Sequence, residues 1–443
     1  MASAAEQLAA NLNFSALAKA DELKKRIWFT LGALVVYRLG TYIPLPGIDP
    51  AVWSQVFRQQ AGGILGMFNM FSGGGIDRMA IFALNIMPYI SAAIILQLLQ
   101  SVSPKLEALK KEGEAGRKVI NQYTRYLTLV LAALQAYGIA IGLQGAGNVV
   151  SQPGPFFLLS TTITLTGGTM FLMWLGEQIT ARGIGNGISL IIMAGIVAEL
   201  PSAIVGTLEL GRQGALSTGL ILGILVMAVA VIGIIVFVER AQRRLLIQYP
   251  KRQVGNKMFE GQSSHLPLKL NTSGVIPPIF ASSLLLLPGT VANFNAGAGP
   301  EWFQWLTTQL SHGRPAYLIL YLGMIVFFTF FYTAVVFNPT ETADNLKKHG
   351  GFIPGIRPGE RTAEYIDYVL SRITVVGAIY LALVCLVPEI LISYASVPFY
   401  FGGTSLLIVV SVTMDTVAQV QGYLLAHQYE GLIRKSKGKG RRR

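Results

Sequence analysis

Ten long apolar stretches alternate with shorter polar ones along the chain, and this pattern predicts ten membrane-spanning helices. Their expected bounds are 27–43, 77–101, 121–142, 155–176, 185–205, 216–238, 272–292, 315–337, 373–391 and 402–424. Each is close to the roughly 20 residues that a helix needs to cross the hydrocarbon core. Helix is the expected conformation because a chain in lipid must satisfy its backbone polar groups internally. The runs are unbroken and lack the short alternating segments of a membrane barrel. The longest polar stretch lies between Asn338 and Arg372, so one integrated domain is expected, with no appended soluble domain.

Two of the stretches carry a shared pattern. One reads Pro88-Tyr89-Ile90-Ser91-Ala92 and the other Pro277-Pro278-Ile279-Phe280-Ala281, so both contain Pro-x-Ile-x-Ala. Each belongs to the second span of its half, and spans interrupted at matching positions point to a site between the halves. A third feature lies between the first two spans. The run from Ile64 to Phe71 is apolar but too short to cross a bilayer, and Ser72-Gly73-Gly74-Gly75 follows it as an expected flexible hinge. Such a piece fits an interfacial anchor or a re-entrant plug.

Composition sharpens the class. Of 443 residues, 52% are hydrophobic and only 13% charged, against roughly 25% charged in a soluble domain. The net charge of +13 is distributed by side. With a cytoplasmic N-terminus, every Lys and Arg falls in cytoplasmic segments except Arg38, Arg58, Arg78, Arg212 and Arg314. That asymmetry places both termini in the cytoplasm. The single Cys385 permits no disulfide within the chain, and the N-terminal residues do not read as a cleaved signal peptide. Inside the spans the ionisable residues are few, chiefly Arg38, Glu199 and Asp415. Arg38 and Glu199 are expected to snorkel, and Asp415 to form an internal hydrogen bond or ion pair. Gly183-Ile184-Gly185-Asn186-Gly187 lacks the lysine of a phosphate loop and reads as a helix cap. No metal-ligand spacing is present, so neither catalysis nor a cofactor is expected.

Two polar segments exceed a simple connection of about 2–8 residues. The first, 239–271, carries Arg243, Arg244, Lys251, Arg252 and Lys257. The second, 338–372, places Arg357 among Gly and Pro near a loop tip. Attraction to anionic lipid explains basic charge in general, at about 1 kcal/mol per residue. The length and turn chemistry of the second segment favour a protein-docking surface.

Several motifs occur together and in order. They include Ile43-Pro44-Leu45-Pro46-Gly47-Ile48, Met67-Phe68-Asn69-Met70-Phe71-Ser72-Gly73-Gly74, Ile86-Met87-Pro88-Tyr89-Ile90-Ser91, Leu175-Gly176-Glu177-Gln178-Ile179-Thr180, His265-Leu266-Pro267-Leu268-Lys269, Phe337-Asn338-Pro339, and Phe401-Gly402-Gly403-Thr404-Ser405-Leu406-Leu407-Ile408. Through them the chain resembles, over about residues 20–430, the SecY family of bacterial protein-conducting channel subunits. The resemblance implies an all-α polytopic fold of ten helices in two inverted five-helix halves around an hourglass pore. It implies a cytoplasmic segment 1–26, a first half 27–205 with a plug at about 62–75, a second half 206–424 with cytoplasmic loops 239–271 and 338–372, and a basic tail 425–443. It also implies a pore ring of Ile86, Ile90, Ile192, Ile279 and Ile408, and a plug of Met67, Phe68, Asn69, Met70, Phe71, Ser72, Gly73 and Gly74, which replaces the anchor reading. A lateral gate opening to membrane lipids would be flanked by Pro88, Ser91, Ala92, Pro277, Phe280 and Ser283. The implied location is the bacterial inner membrane. Implied partners are the SecE and SecG subunits, the SecA motor ATPase, the ribosome with its RNA, signal sequences and unfolded substrate proteins. The chain departs from the family pattern at Pro277-Pro278, which puts the bend of that span in question, and at Asn256-Lys257, where two basic residues are usual. A small-solute secondary transporter, which also has inverted repeats, is the alternative.

Overall fold

The computed structural model describes residues 21–60, 69–145, 149–214, 217–249, 252–254, 257–259, 263–294, 309, 314–395 and 403–440. Met67, Phe68, Lys251 and Asn256 lie outside the described residues. The helices, in chain order, are α1 (Asp21–Gly40), α2 (Pro50–Gln60), α3 (Met87–Val102), α4 (Pro104–Lys111), α5 (Glu114–Gly145), α6 (Pro155–Arg182), α7 (Gly187–Arg212) and α8 (Thr218–Arg240). After a small β unit come α9 (Ile276–Phe294), α10 (Pro315–Val336), α11 (Pro339–Lys348), α12 (Glu360–Ala395) and α13 (Gly403–Gly440). A helix overlaps each of the ten predicted stretches. Among the described residues, seven helices are long and apolar enough to cross a membrane: α5, α6, α7, α8, α10, α12 and α13.

The second stretch differs most from its expected form. Helix was expected from residue 77, but residues 77–86 run in turns, with Met79 and Asn85 at φ 43° and 49°, and α3 begins only at Met87. Pro88 then occupies the first turn, where a missing N–H costs nothing. Irregular backbone at membrane depth is tolerated when protein buries it and supplies its hydrogen bonds. Both conditions hold. Met79, Ala80, Phe82, Ala83 and Leu84 are buried. Leu45 N donates to Met79 O (2.9 Å), and Ile81 N to Ile43 O (3.0 Å). Hydropathy reads this piece as part of a span because it is buried, not because it is helical.

The second motif is a helix start too. Pro277 and Pro278 sit in the first turn of α9, and its first backbone bond is Ile279 N to Val275 O. Neither proline interrupts the helix, so both Pro-x-Ile-x-Ala motifs open helices rather than break them. These two helices, α3 and α9, pack against each other. Helix α9 also touches α5 and α10, while α13 touches α7, α8, α12 and α1.

The segment after α8 is not a plain loop. Strands β1 (Gln242–Gln248) and β4 (Ser263–Lys269) pair antiparallel, and β2 (Arg252–Val254) pairs with β3 (Lys257–Phe259) farther out. The 338–372 segment is also largely ordered, by α11 and the first turns of α12. Gln248 and Phe352 exchange backbone hydrogen bonds of 2.9 and 3.0 Å and tie the two segments together. Leu245, Leu268, Ile353, Ile366, Val369 and Ile373 form a separate apolar core beneath them. Helix α2 was not expected. It buries Trp53 and Phe57 in another satellite core, and the Trp53 indole donates to Ile76 O at 2.6 Å.

Candidate functional site

Ile86, Ile90, Ile192 and Ile408 are 1, 7, 5 and 1% exposed and belong to one apolar cluster. They arrive by different routes. Ile86 precedes α3 and Ile90 lies in its first turn, Ile192 is on α7, and Ile408 is on α13. Ile279 on α9 is half-buried and packs against the same cluster. Met70 and Phe71 of the short segment before α3 also lie in it. The cluster therefore joins helices far apart in sequence around one short, separately held piece of chain.

That piece is fixed more firmly than a glycine hinge implies. Residues 69–72 are helical, and Gly73 and Gly74 end this turn at φ 64° and 80°, a region that glycine enters without strain. Asn69 caps the turn twice, accepting from Gly74 N through its carbonyl (3.0 Å) and from Asp77 N through Oδ1 (2.8 Å). Ser72 Oγ donates to Asn69 O (3.0 Å) and accepts from Ile76 N (3.3 Å). Three side chains hold the following carbonyls. Asn85 Nδ2 donates to Phe71 O, Tyr37 Oη to Ser72 O at 3.2 Å, and Arg38 Nη1 to Gly73 O at 2.7 Å. On the other flank, Ser405 Oγ of α13 meets Met70 Sδ at 3.3 Å.

The α3–α9 seam lies beside this cluster. Pro88, Ser91, Ala92, Pro277, Phe280 and Ser283 are all buried. The Phe280 ring stands edge-on to Phe328 at 5.7 Å and Tyr332 at 6.3 Å. Ser283 Oγ and Gln97 Oε1 are buried without hydrogen-bond partners among the described residues. Each such buried group carries a desolvation cost. The basic residues lie elsewhere. Arg243 and Arg244 are exposed on β1, opposite Leu268 and Pro267 of β4. Arg252 and Lys257 lie in β2 and β3. Arg357 is exposed in a turn closed by Thr362 Oγ1 donating to Arg357 O at 2.9 Å, with Gly355 and Gly359 at positive φ.

Sequence reasoning missed Tyr37, Arg38 and Asn85 as parts of the site. Arg38 does not simply snorkel, since it holds the Gly73 carbonyl. Its place among the few cations outside the charge bias was the available signal. Glu199 also turns inward, and a Cβ added at Gly74 would stand 2.5 Å from its Oε1. Asp415 is exposed on α13 instead of buried in an internal pair.

The SecY family model matches residues 80–417. The chain belongs to the SecY family. It is 58% identical over 431 residues to the protein translocase subunit SecY of Vibrio cholerae, covering 96% of this chain and 97% of that one. It is 56% identical over 423 residues to the subunit of the same name in Escherichia coli K12, covering 95 and 96%. Its fold resembles a solved structure described as a protein-conducting channel, with a TM-score of 0.60 and 17% identity, covering 90% of this chain and 92% of that one. A protein-conducting channel subunit of the translocase is thus the identity the SecY match supplies, and the chain is a multi-pass membrane protein. The small-solute transporter reading has no support in these SecY relatives.

Proposed function

We propose that the cluster around Ile86, Ile90, Ile192, Ile279 and Ile408 is the pore constriction, and that the segment ending in Asn69–Gly74 is its plug. The single observation behind this reading is that Met70 and Phe71 share one buried apolar cluster with Ile86, Ile90, Ile192 and Ile408, against which Ile279 packs. β-branched isoleucines make a stiff wall that shuts out water and ions yet binds no particular substrate. On this reading the channel has ten spans in two inverted five-helix halves, sits in a bacterial inner membrane with both termini cytoplasmic, and performs no chemistry of its own. The α3–α9 seam is its lateral gate, through which apolar segments pass into lipid. Support for the gate comes from the buried contact of the two helices that carry the paired motifs.

The tied 239–271 and 338–372 segments present Arg243, Arg244, Arg252, Lys257 and Arg357 as the docking face for the SecA motor ATPase or a ribosome, whose RNA suits basic charge. Lys251 shares that assignment from outside the described residues. One structural neighbour is described as Sec61 in a canine ribosome–channel complex, at a TM-score of 0.57. SecE and SecG are the proposed membrane subunits. The test is photocrosslinking of a stalled secretory chain to probes at positions 90, 192, 279 and 408. Crosslinks at all four, and their absence from probes on the exposed face of α8 such as Leu222, are expected. Labelling at the four that is absent, or no stronger than at Leu222, would sink the ring.

A further inference from the structure

We infer that Tyr37 and Arg38 of α1, together with Asn85, form a latch that holds the plug in its seat and so sets how readily the channel opens; the inference rests on the plug reading above. Phe71, Ser72 and Gly73 present three successive carbonyl oxygens at the end of the 69–72 turn. A helical turn ends with carbonyls that lack intrahelical partners, and a buried site must supply them. Here each receives one side-chain donor: Asn85 Nδ2, Tyr37 Oη at 3.2 Å and Arg38 Nη1 at 2.7 Å. The arginine bond is charge-assisted and the strongest in kind. Arg38 is itself held in place, with Nη2 donating to Tyr42 Oη at 3.2 Å and the guanidinium 5.3 Å from the Tyr42 ring centre. Arg78 lies over the same ring at 4.1 Å.

The seat is also shaped for close approach. A Cβ at Gly195 of α7 would stand 2.8 Å from Phe71 O, and one at Gly73 would stand 2.9 Å from Gly195 Cα. Tyr37, Arg38, Asn85 and Gly195 all precede α8. Among the described residues, what links this segment to later helices is of another kind, namely the Ser405–Met70 sulfur contact and the apolar cluster that Met70 and Phe71 share with Ile408. Movement of α9 and α13 therefore strips the plug of soft contacts and leaves its polar anchorage intact. Release requires the three carbonyl bonds to break, which makes Tyr37 and Arg38 specificity-setting positions for the signals that open the channel.

The test uses the assembled translocase in vesicles and in cells, with Tyr37→Phe, Arg38→Gln, the double variant, Arg38→Lys, and a deletion of residues 69–74. Tyr37→Phe keeps the ring and removes only the hydroxyl, so it isolates the latch from packing. Tyr37→Phe should raise resting ion leak about fivefold, the factor for one net hydrogen bond of ordinary strength, and Arg38→Gln should raise it further. The double variant should leak more and export proteins with defective signals, and Arg38→Lys should restore part of the seal at equal membrane abundance. Leak from the deletion with a silent double variant overturns the latch and leaves the plug standing. Silence from both overturns the plug and the latch with it.

Discussion

Ile408 shows what a buried residue does in a channel of this kind. It is 1% exposed, lies in the second turn of α13, and shares one apolar cluster with residues of α3, α7 and the 69–72 segment. A polar side chain there finds no partner in the closed arrangement, at a cost of about 1–3 kcal/mol for an unsatisfied buried group. In an open, hydrated pore the same group is solvated and the cost disappears. Ile408→Asn and Ile90→Asn should therefore favour opening over closure. Ion leak and export of defective-signal substrates should both rise, as measured in vesicles and by pulse-chase. Unchanged values for both variants would remove these residues from the constriction. The isoleucines were legible only through their motifs, because in an apolar chain one isoleucine looks like any other. Arg38 was visible as an isolated cation, but its partner was not, since a backbone carbonyl leaves no mark in sequence.

At the scale of the element, the prolines explain where helices begin. Pro88 and Pro277 read as breaks inside spans because hydropathy continues across them. Their fixed φ and missing N–H suit a first turn, and the structure uses them there. Pro278 belongs to the same turn and need not bend α9. Pro278→Ala should then change the thermal unfolding midpoint of the solubilised protein little, reflecting less than about 1 kcal/mol, whereas a proline within a helix interior costs about 3 kcal/mol. A loss on the larger scale would mean that the second proline shapes α9 beyond its first turn. The start of α3 is ten residues later than hydropathy placed it. Burial under α1, α2 and α6 makes 77–86 apolar without making it helical, and left-handed Met79 and Asn85 turn the chain so that Ile86 enters the cluster.

For the whole molecule, the decisive feature is the separation of a membrane part from a polar platform. The platform has its own apolar core, and the Gln248–Phe352 bridge joins the described parts of 239–271 to 338–372. Arg357 is exposed at its edge. Reversing that charge should weaken docking of an acidic or nucleic-acid partner without disturbing the fold. Arg357→Glu is expected to slow motor-driven export severalfold while membrane abundance stays normal, because exposed charges contribute to association far more than to stability. Normal export rates at normal abundance would remove Arg357 from the docking face.

By itself the sequence determined the class, the approximate positions of the helices, and the concentration of Lys and Arg in alternate connecting segments. These depend on composition averaged over many residues, which one chain displays directly. Its ordered motifs also carried the family and named the candidate ring, plug and gate. Tertiary structure alone decided that the start of the second span is irregular, that the two polar segments are joined, and that Tyr37, Arg38 and Asn85 each meet a carbonyl of residues 71–73. The physical reason is common to all three. Each depends on backbone groups meeting partners distant in sequence, and a backbone N–H or C=O is the same at every position until the fold brings something to it.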